Sequence, residues 1–315
     1  MAVETTLLIE PLEMEKCGFR QSDLKDKVVL VTGSANNIGL GYVRAAAWAG
    51  AKVVITDLDE EKGTEAQRVI NEENGADVAI FVKCDVTKQE DINNLKAKTY
   101  EKFGKVDVLI HNAMNMTLSG PVLTSKVDDL DQSYAISARG MMMLIQAFVP
   151  DMIERKYGVV AFSATQFHYM PPMVGGTMYT AGKTCAASIT LSLANELKDT
   201  GVSAFCLTPA GVVRIDPSRF PPPPAGDDGA PKGPPSFSMP GFNGFIPPEA
   251  GGAALVYCIL NAKKLSGSGI IINDAFDAMN FPYPNPQTVS REKSRRLTDM
   301  ELTMVLCTAG PGFEQ

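Results

Sequence analysis

The sequence predicts an α/β protein, a doubly wound parallel sheet of seven strands in a single domain, and three observations carry that prediction. Short runs rich in Val and Ile alternate with longer amphipathic stretches from Lys27 to about Gly211, the pattern of strand-helix units around a parallel sheet. The first of these runs leads straight into a glycine-bearing turn, and the second ends on an acidic residue, Asp57. Farther along, Gly269 to Ile272 supplies a seventh run that would close the sheet.

Residues 1–26 read as an N-terminal extension ahead of the sheet, 27–273 as the domain and 274–315 as a C-terminal extension. The strands are expected at Val28 to Val31, Lys52 to Thr56, Val78 to Lys83, Val106 to Ile110, Val159 to Ser163, Val202 to Leu207 and the seventh run. Each is followed by a loop where function is expected, because ligands of such sheets sit at the carboxyl ends of the strands. Helices are expected at Tyr42 to Trp48, Ser133 to Met152 and Tyr179 to Leu197, with another helical segment near Val289 to Leu306. Between about 213 and 248 the prolines, including Pro221 to Pro224, Pro234, Pro235 and Pro247, exclude regular structure. Phe220, Phe237, Met239, Phe242 and Phe245 in that loop favour a lid over a site, the competing reading being a plain surface excursion.

Composition narrows the functional classes. With 315 residues, 45% hydrophobic and 21% charged, the chain can bury a sizeable core. A net charge of -7 gives no electrostatic footprint for nucleic acid, and Arg291, Lys293, Arg295 and Arg296 read as a solvated helix face. The first twenty residues carry Glu4, Glu10, Glu13 and Glu15 in place of a basic start and an apolar run, so no secretory leader is expected. No apolar stretch reaches membrane-spanning length. Six scattered cysteines without a C-x-x-C pair, and two isolated histidines, His111 and His168, argue against a metal centre and a disulfide framework. A reducing, cytoplasmic setting is expected.

The run from Val28 to Gly41 is an apolar strand, a glycine-bearing turn and the opening of a helix, an arrangement that lets backbone N–H groups and a helix N-terminus approach a pyrophosphate. Asp57, at the end of the next strand, lies where a carboxylate accepts hydrogen bonds from ribose hydroxyls and repels a 2'-phosphate, so NAD(H) is expected over NADP(H). The competing reading of Asp57 is a turn or helix-capping residue, with Asp59 and Glu60 close by.

Thr32-Gly33-x-x-x-Asn37-Ile38-Gly39 resembles the T-G-x-x-x-G-x-G turn of the short-chain dehydrogenase/reductase family, with Asn37 in the place of a glycine. Asn is the side chain best able to adopt the left-handed backbone a glycine would supply there. The resemblance extends to Asp85-Val86 after the third strand and to His111-Asn112-Ala113-Met114 after the fourth, which is similar to the family's N-N-A-G without its first Asn and its Gly. It implies the Rossmann fold and a nicotinamide cofactor held by Gly33, Asn36, Asn37, Ile38, Gly39, Asp57, Asp85, Val86, Asn112 and Ala113. Thr208-Pro209-Ala210-Gly211-Val212 resembles the family's P-G segment and adds Pro209 and Val212.

Tyr179-Thr-Ala-Gly-Lys183 resembles the family's Y-x-x-x-K, implying that both residues also touch the cofactor. Four residues apart on a helix, the two side chains share a face, so the ammonium is expected to lower the pKa of a phenol that serves as general acid or base. The family serine falls, counted from Gly158, on Thr165; Ser163 and Gln166 are the second and third candidates for that hydroxyl or polar position. Ser137 aligns with the family's helix asparagine, leaving both the helix kink and the proton relay open at that position.

The expected reaction moves a hydride between NAD(H) and a ketone or secondary alcohol. Met114, Met116 and the segment Phe167 to Met173 suggest a bulky hydrophobic substrate, unless these methionines are core or subunit contacts. Two alternatives differ in kind: reduction of an activated carbon-carbon double bond on the same fold, and a non-catalytic dinucleotide-binding sensor. Apolar residues on several faces of the helices around Ser133 to Met152 and Tyr179 to Leu197 suggest a homo-dimer or homo-tetramer.

Overall fold

The computed structural model describes residues 12, 14–115, 118, 122–165, 176–209 and 248–280. Among them seven strands form one parallel sheet: β1 (Val28–Thr32), β2 (Lys52–Asp57), β3 (Ala79–Lys83), β4 (Val108–His111), β5 (Gly158–Ser163), β6 (Val202–Thr208) and β7 (Gly269–Ile271). Their order across the sheet is β3-β2-β1-β4-β5-β6-β7, so the winding reverses between β1 and β4. The strands fall within two residues of the runs read from the sequence. They are legible because a parallel strand covered on both faces becomes an unbroken apolar run, as in Val-Val-Leu-Val-Thr of β1, where all five residues are buried.

Two cores flank the sheet. Val29 and Val31 of β1 and Val159 and Ala161 of β5 face one, which also holds Tyr42, Ala45 and Ala46 of α1 (Asn37–Trp48) and Ala254 and Leu255 of α7 (Pro248–Leu260). Val28 and Leu30 with Val160 and Phe162 face the other, built from α3 (Gln89–Phe103), α5 (Gly140–Glu154) and α6 (Thr177–Glu196). α2 (Glu60–Glu73) lies beside β2 and β3, α4 (Val127–Tyr134) packs on α6, α8 (Ala262–Leu265) packs on β6 and α9 (Ile272–Met279) on β7. Residues ahead of β1 belong to the first core: Met14, Phe19 and Leu24 are buried, and the Leu24 N–H donates to the Ala49 carbonyl at 2.8 Å.

Two helices differ from the sequence reading. α1 begins at Asn37, five residues before the expected Tyr42. Gly39 and Gly41, which read as parts of the turn, are close approaches within the helix: a Cβ at Gly39 would lie 2.1 Å from the Gly33 carbonyl oxygen, and one at Gly41 would lie 2.1 Å from that of Pro248. The helix expected from Ser133 to Met152 is interrupted by a π-turn, Ala135–Arg139, that joins α4 to α5. Its extra residue rotates the buried face, so that Ser133, Ser137, Ala138, Met141 and Leu144 are all covered. The proline-rich loop and the helical segment near Val289 to Leu306 lie outside the described residues.

Candidate active site

The glycine turn sits at the carboxyl end of β1, beside the reversal of the winding. Ser34 closes it: its N–H donates to the Thr56 carbonyl at 3.1 Å, its hydroxyl donates to the Val31 carbonyl at 2.6 Å, and the Thr56 N–H donates back to that hydroxyl at 3.1 Å. Gly33 has φ +63°, and a Cβ there would meet the Ala113 Cα at 2.7 Å, so β4's loop lies directly on the turn. Asn37 adopts φ +49°, the left-handed backbone expected of it in a glycine's place. The Asn36 side chain makes no capping hydrogen bond to α1, and the first turn of α1 carries no acidic residue. A pyrophosphate fits such an end, where N–H groups and the positive end of the helix dipole face outward from a turn held close by glycines. Ile38 is partly covered at this helix start.

Asp57 braces the same turn. Its Oδ2 accepts from the Ala35 N–H at 3.1 Å, and its Oδ1 accepts from the Leu58 and Asp59 N–H groups at 2.8 and 3.2 Å. The cap of α2 is Asp59, which accepts from the Lys62 N–H at 3.1 Å. Asp85 is engaged in its own loop, accepting from both the Thr87 N–H (3.0 Å) and hydroxyl (2.7 Å), with the buried Val86 beside it. The Asn112 side-chain amide donates to the Gly33 carbonyl at 2.9 Å, and Pro209, the residue after β6, is partly covered.

α6 positions the expected catalytic pair. Met178, Gly182, Ala186, Thr190 and Ala194 form its buried stripe, and Lys183 lies in the same inward face, 3% exposed. The Lys183 Nζ donates to the Ser163 carbonyl at 2.6 Å and stands 4.9 Å from the Phe162 ring centre and 5.9 Å from that of Tyr179. Burial pushes the lysine down to about 7. The expected lowering of Tyr179 by Lys183 is corrected by this geometry: burial pushes the phenol up to about 12, and the group opposing it is the nearby Thr165 hydroxyl. Of the candidate hydroxyls, Thr165 is the one whose polarity bears on the Tyr179 phenol. Ser163 sends its carbonyl to Lys183.

Ser137 is buried in the π-turn, and its hydroxyl donates to the Met114 sulfur at 3.3 Å. The helix is thus irregular at the position where the sequence left a kink open. Gln166, the segment Phe167 to Met173, Met116 and Val212 lie outside the described residues.

His111 and Thr32 were not singled out as functional by sequence reasoning. Both end apolar strands, and the parallel register that pairs Val31 with Ile110 sets them side by side. The Thr32 Oγ1 lies 2.8 Å from His111 Nδ1 and accepts the N–H groups of Asn112 and Ala113 at 3.0 and 3.1 Å. The His111 Nε2 is 3.0 Å from the Ile136 carbonyl in the π-turn. Burial, reinforced by the nearby Lys183 charge, pushes the imidazole down to about 4. A polar residue closing each of two adjacent strands at a winding reversal was the available signal.

Residues 27–215 match the short chain dehydrogenase family, and the chain belongs to it. It is 31% identical over 190 residues to an uncharacterised oxidoreductase of Staphylococcus saprophyticus, covering 60% of this chain and 80% of that one. It is 32% identical over 210 residues to dehydrogenase/reductase SDR family member 4 of Bos taurus, covering 66% of this chain and 74% of the relative. Among solved structures, a metagenomic short-chain oxidoreductase in complex with NADP is 30% identical, with a TM-score of 0.56, covering 60% of this chain and 84% of that one. The protein is accordingly an oxidoreductase of that family with a dinucleotide-binding fold.

Proposed function

We propose that the protein transfers a hydride between NAD(H) and a ketone or secondary alcohol, with Tyr179 as general acid or base. The observation that carries this reading is the buried Lys183 ammonium 5.9 Å from the Tyr179 ring on α6, with the Thr165 hydroxyl near enough to the phenol to oppose the effect of its burial. Gly33, Asn36, Asn37, Ile38 and Gly39 would hold the pyrophosphate, Asp57 the adenosine ribose, Asp85 and Val86 the adenine side, and Asn112, Ala113, Pro209 and Val212 the nicotinamide side. Bound there, the nicotinamide supplies or takes up the hydride.

The chain's own residues handle the proton. With its pKa near 12 the phenol is protonated at neutral pH, so Tyr179 is set to donate its hydroxyl proton to an oxygen that gains charge during reduction. Thr165, beside the phenol, would orient a substrate oxygen by its hydroxyl. Lys183, on the same helix face, would touch the cofactor through its ammonium. Ser137 supplies a small buried hydroxyl in the π-turn where a water can be held.

Asp57 supports NAD(H) over NADP(H), because a carboxylate fixed by three backbone N–H groups cannot swing away from a 2'-phosphate. The structurally similar metagenomic oxidoreductase binds NADP, so this preference is a property proposed for the present residues. Met114 beside Ser137 supports a hydrophobic substrate. A cytoplasmic homo-oligomer is part of the same reading. With NADH and a panel of steroid, aromatic and short polar ketones, Tyr179→Phe is expected to lose turnover by about a thousandfold while still binding NADH. Retained turnover in that variant would overturn the assignment.

A further inference from the structure

We infer that His111 is a positioning residue that locks the cofactor turn to the π-turn of the active-site helix, one ring nitrogen serving each. The argument rests on hydrogen-bond capacity. Thr32 Oγ1 has two lone pairs, and the Asn112 and Ala113 N–H groups occupy both, at 3.0 and 3.1 Å. Its own proton must therefore go to an acceptor, and the neighbour at 2.8 Å is His111 Nδ1. That nitrogen carries the lone pair, so the proton of the neutral ring is on Nε2, where it donates to the Ile136 carbonyl at 3.0 Å. Every donor in the chain from Asn112 to Ile136 meets one acceptor.

Protonating the ring would break this order at both ends of the threonine bond. A proton on Nδ1 would point at an oxygen whose lone pairs are taken, and the Thr32 hydroxyl proton would have no place to go. Burial at 0% exposure and the proximity of Lys183 act in the same direction. The ring is thus a fixed, neutral, two-ended link. It spans the reversal between β1 and β4, where a dinucleotide of this fold lies. Thr32 carries the loop of Asn112 and Ala113, which presses on Gly33, while Ile136 precedes Ser137.

The two nitrogens can be tested separately, because shorter amides imitate them one at a time. Asn at 111 can place an oxygen near the Nδ1 position but does not reach Ile136; Gln can place an amide N–H near the Nε2 position but leaves Thr32 without its acceptor. The inference rests on the nucleotide-binding reading above, so the experiment includes a measurement that needs no nucleotide. The chain has two histidines. In ¹⁵N spectra of the imidazoles of the full chain, the signal lost in His111→Asn is expected to show the neutral Nε2–H form and to stay fixed from pH 5.5 to 8.

NADH binding by fluorescence and turnover of a ketone then separate the halves. His111→Asn is expected to keep its NADH dissociation constant within about twofold and lose about tenfold or more in kcat. His111→Gln is expected to bind NADH about tenfold more weakly, with kcat of the saturated enzyme within about threefold of wild type. A ring that titrates near pH 6.5, or variants that lower thermal stability while NADH binding and kcat move in parallel or not at all, would overturn the inference. Wild-type protein that failed to bind NADH would instead fault the functional reading, and the imidazole spectrum would then decide the matter for His111.

Discussion

Replacing Lys183 by Met is expected to kill turnover and to stabilise the fold. The side chain is 3% exposed, and burial moves its pKa from 10.5 to about 7. That difference corresponds to about 5 kcal/mol of unfavourable free energy for folding with the lysine charged. Methionine has nearly the same length and no charge to desolvate, but it forfeits the bond to the Ser163 carbonyl, a loss of about 1.5–3 kcal/mol for a charged donor. The net gain at neutral pH is about 2–3 kcal/mol, or roughly 5 °C in Tm for a domain of this size. Its pH dependence is the stronger signature. The folded pKa lies below the unfolded one, so the cost is complete below pH 7 and fades as pH rises toward 10.5, where the unfolded chain also loses its proton. Melting curves without added nucleotide at pH 6.5 and pH 10 measure this. A variant less stable than wild type at pH 6.5, or an advantage that does not shrink by pH 10, would refute the reasoning.

Thr165→Val is expected to lower ketone turnover about a hundredfold with little change in NADH affinity, whereas Ser163→Ala, which keeps the carbonyl that holds Lys183, is expected to be nearly silent; steady-state kinetics of both variants decide. Asp57→Ala is expected to erase a preference for NAD(H) over NADP(H) of at least about tenfold in kcat/KM, measured with both cofactors. Val127, Leu130 and Tyr134 on α4 and Met142 on α5 are exposed apolar residues, and light scattering at micromolar concentration is expected to give a multiple of the 33.8 kDa chain mass.

The central strands β1, β4 and β5 were legible because each is a short apolar run buried on both faces. The cofactor turn was legible through Gly33, Asn37 and Asp57, since positive φ and a charge at a strand end leave few residue choices. Two features were not. The π-turn conserves helical composition, and nothing in Ala-Ile-Ser-Ala-Arg signals the added residue; the turn packs on α6, and Gly140 just beyond it closes on the Val86 carbonyl. The state of Lys183 depends on how deeply α6 sinks into the second core, a tertiary quantity, so a reading from i, i+4 spacing alone attributed to the ammonium an influence on the phenol that burial overrides.

The crossing of α1 and α7 has an evolutionary consequence. A Cβ at Gly41 would lie 2.1 Å from the Pro248 carbonyl oxygen, and one at Gly252 would lie 2.2 Å from that of Gly41 itself. Each position is therefore closed to drift by the backbone of the opposite helix, which no substitution can trim. Neither change can compensate the other, so the pair cannot covary through a tolerated intermediate. Relief requires one helix to back away, and α1 is the helix whose opening turn bears Asn37, Ile38 and Gly39. On the proposed reading, divergence at this contact is expected to weaken dinucleotide binding.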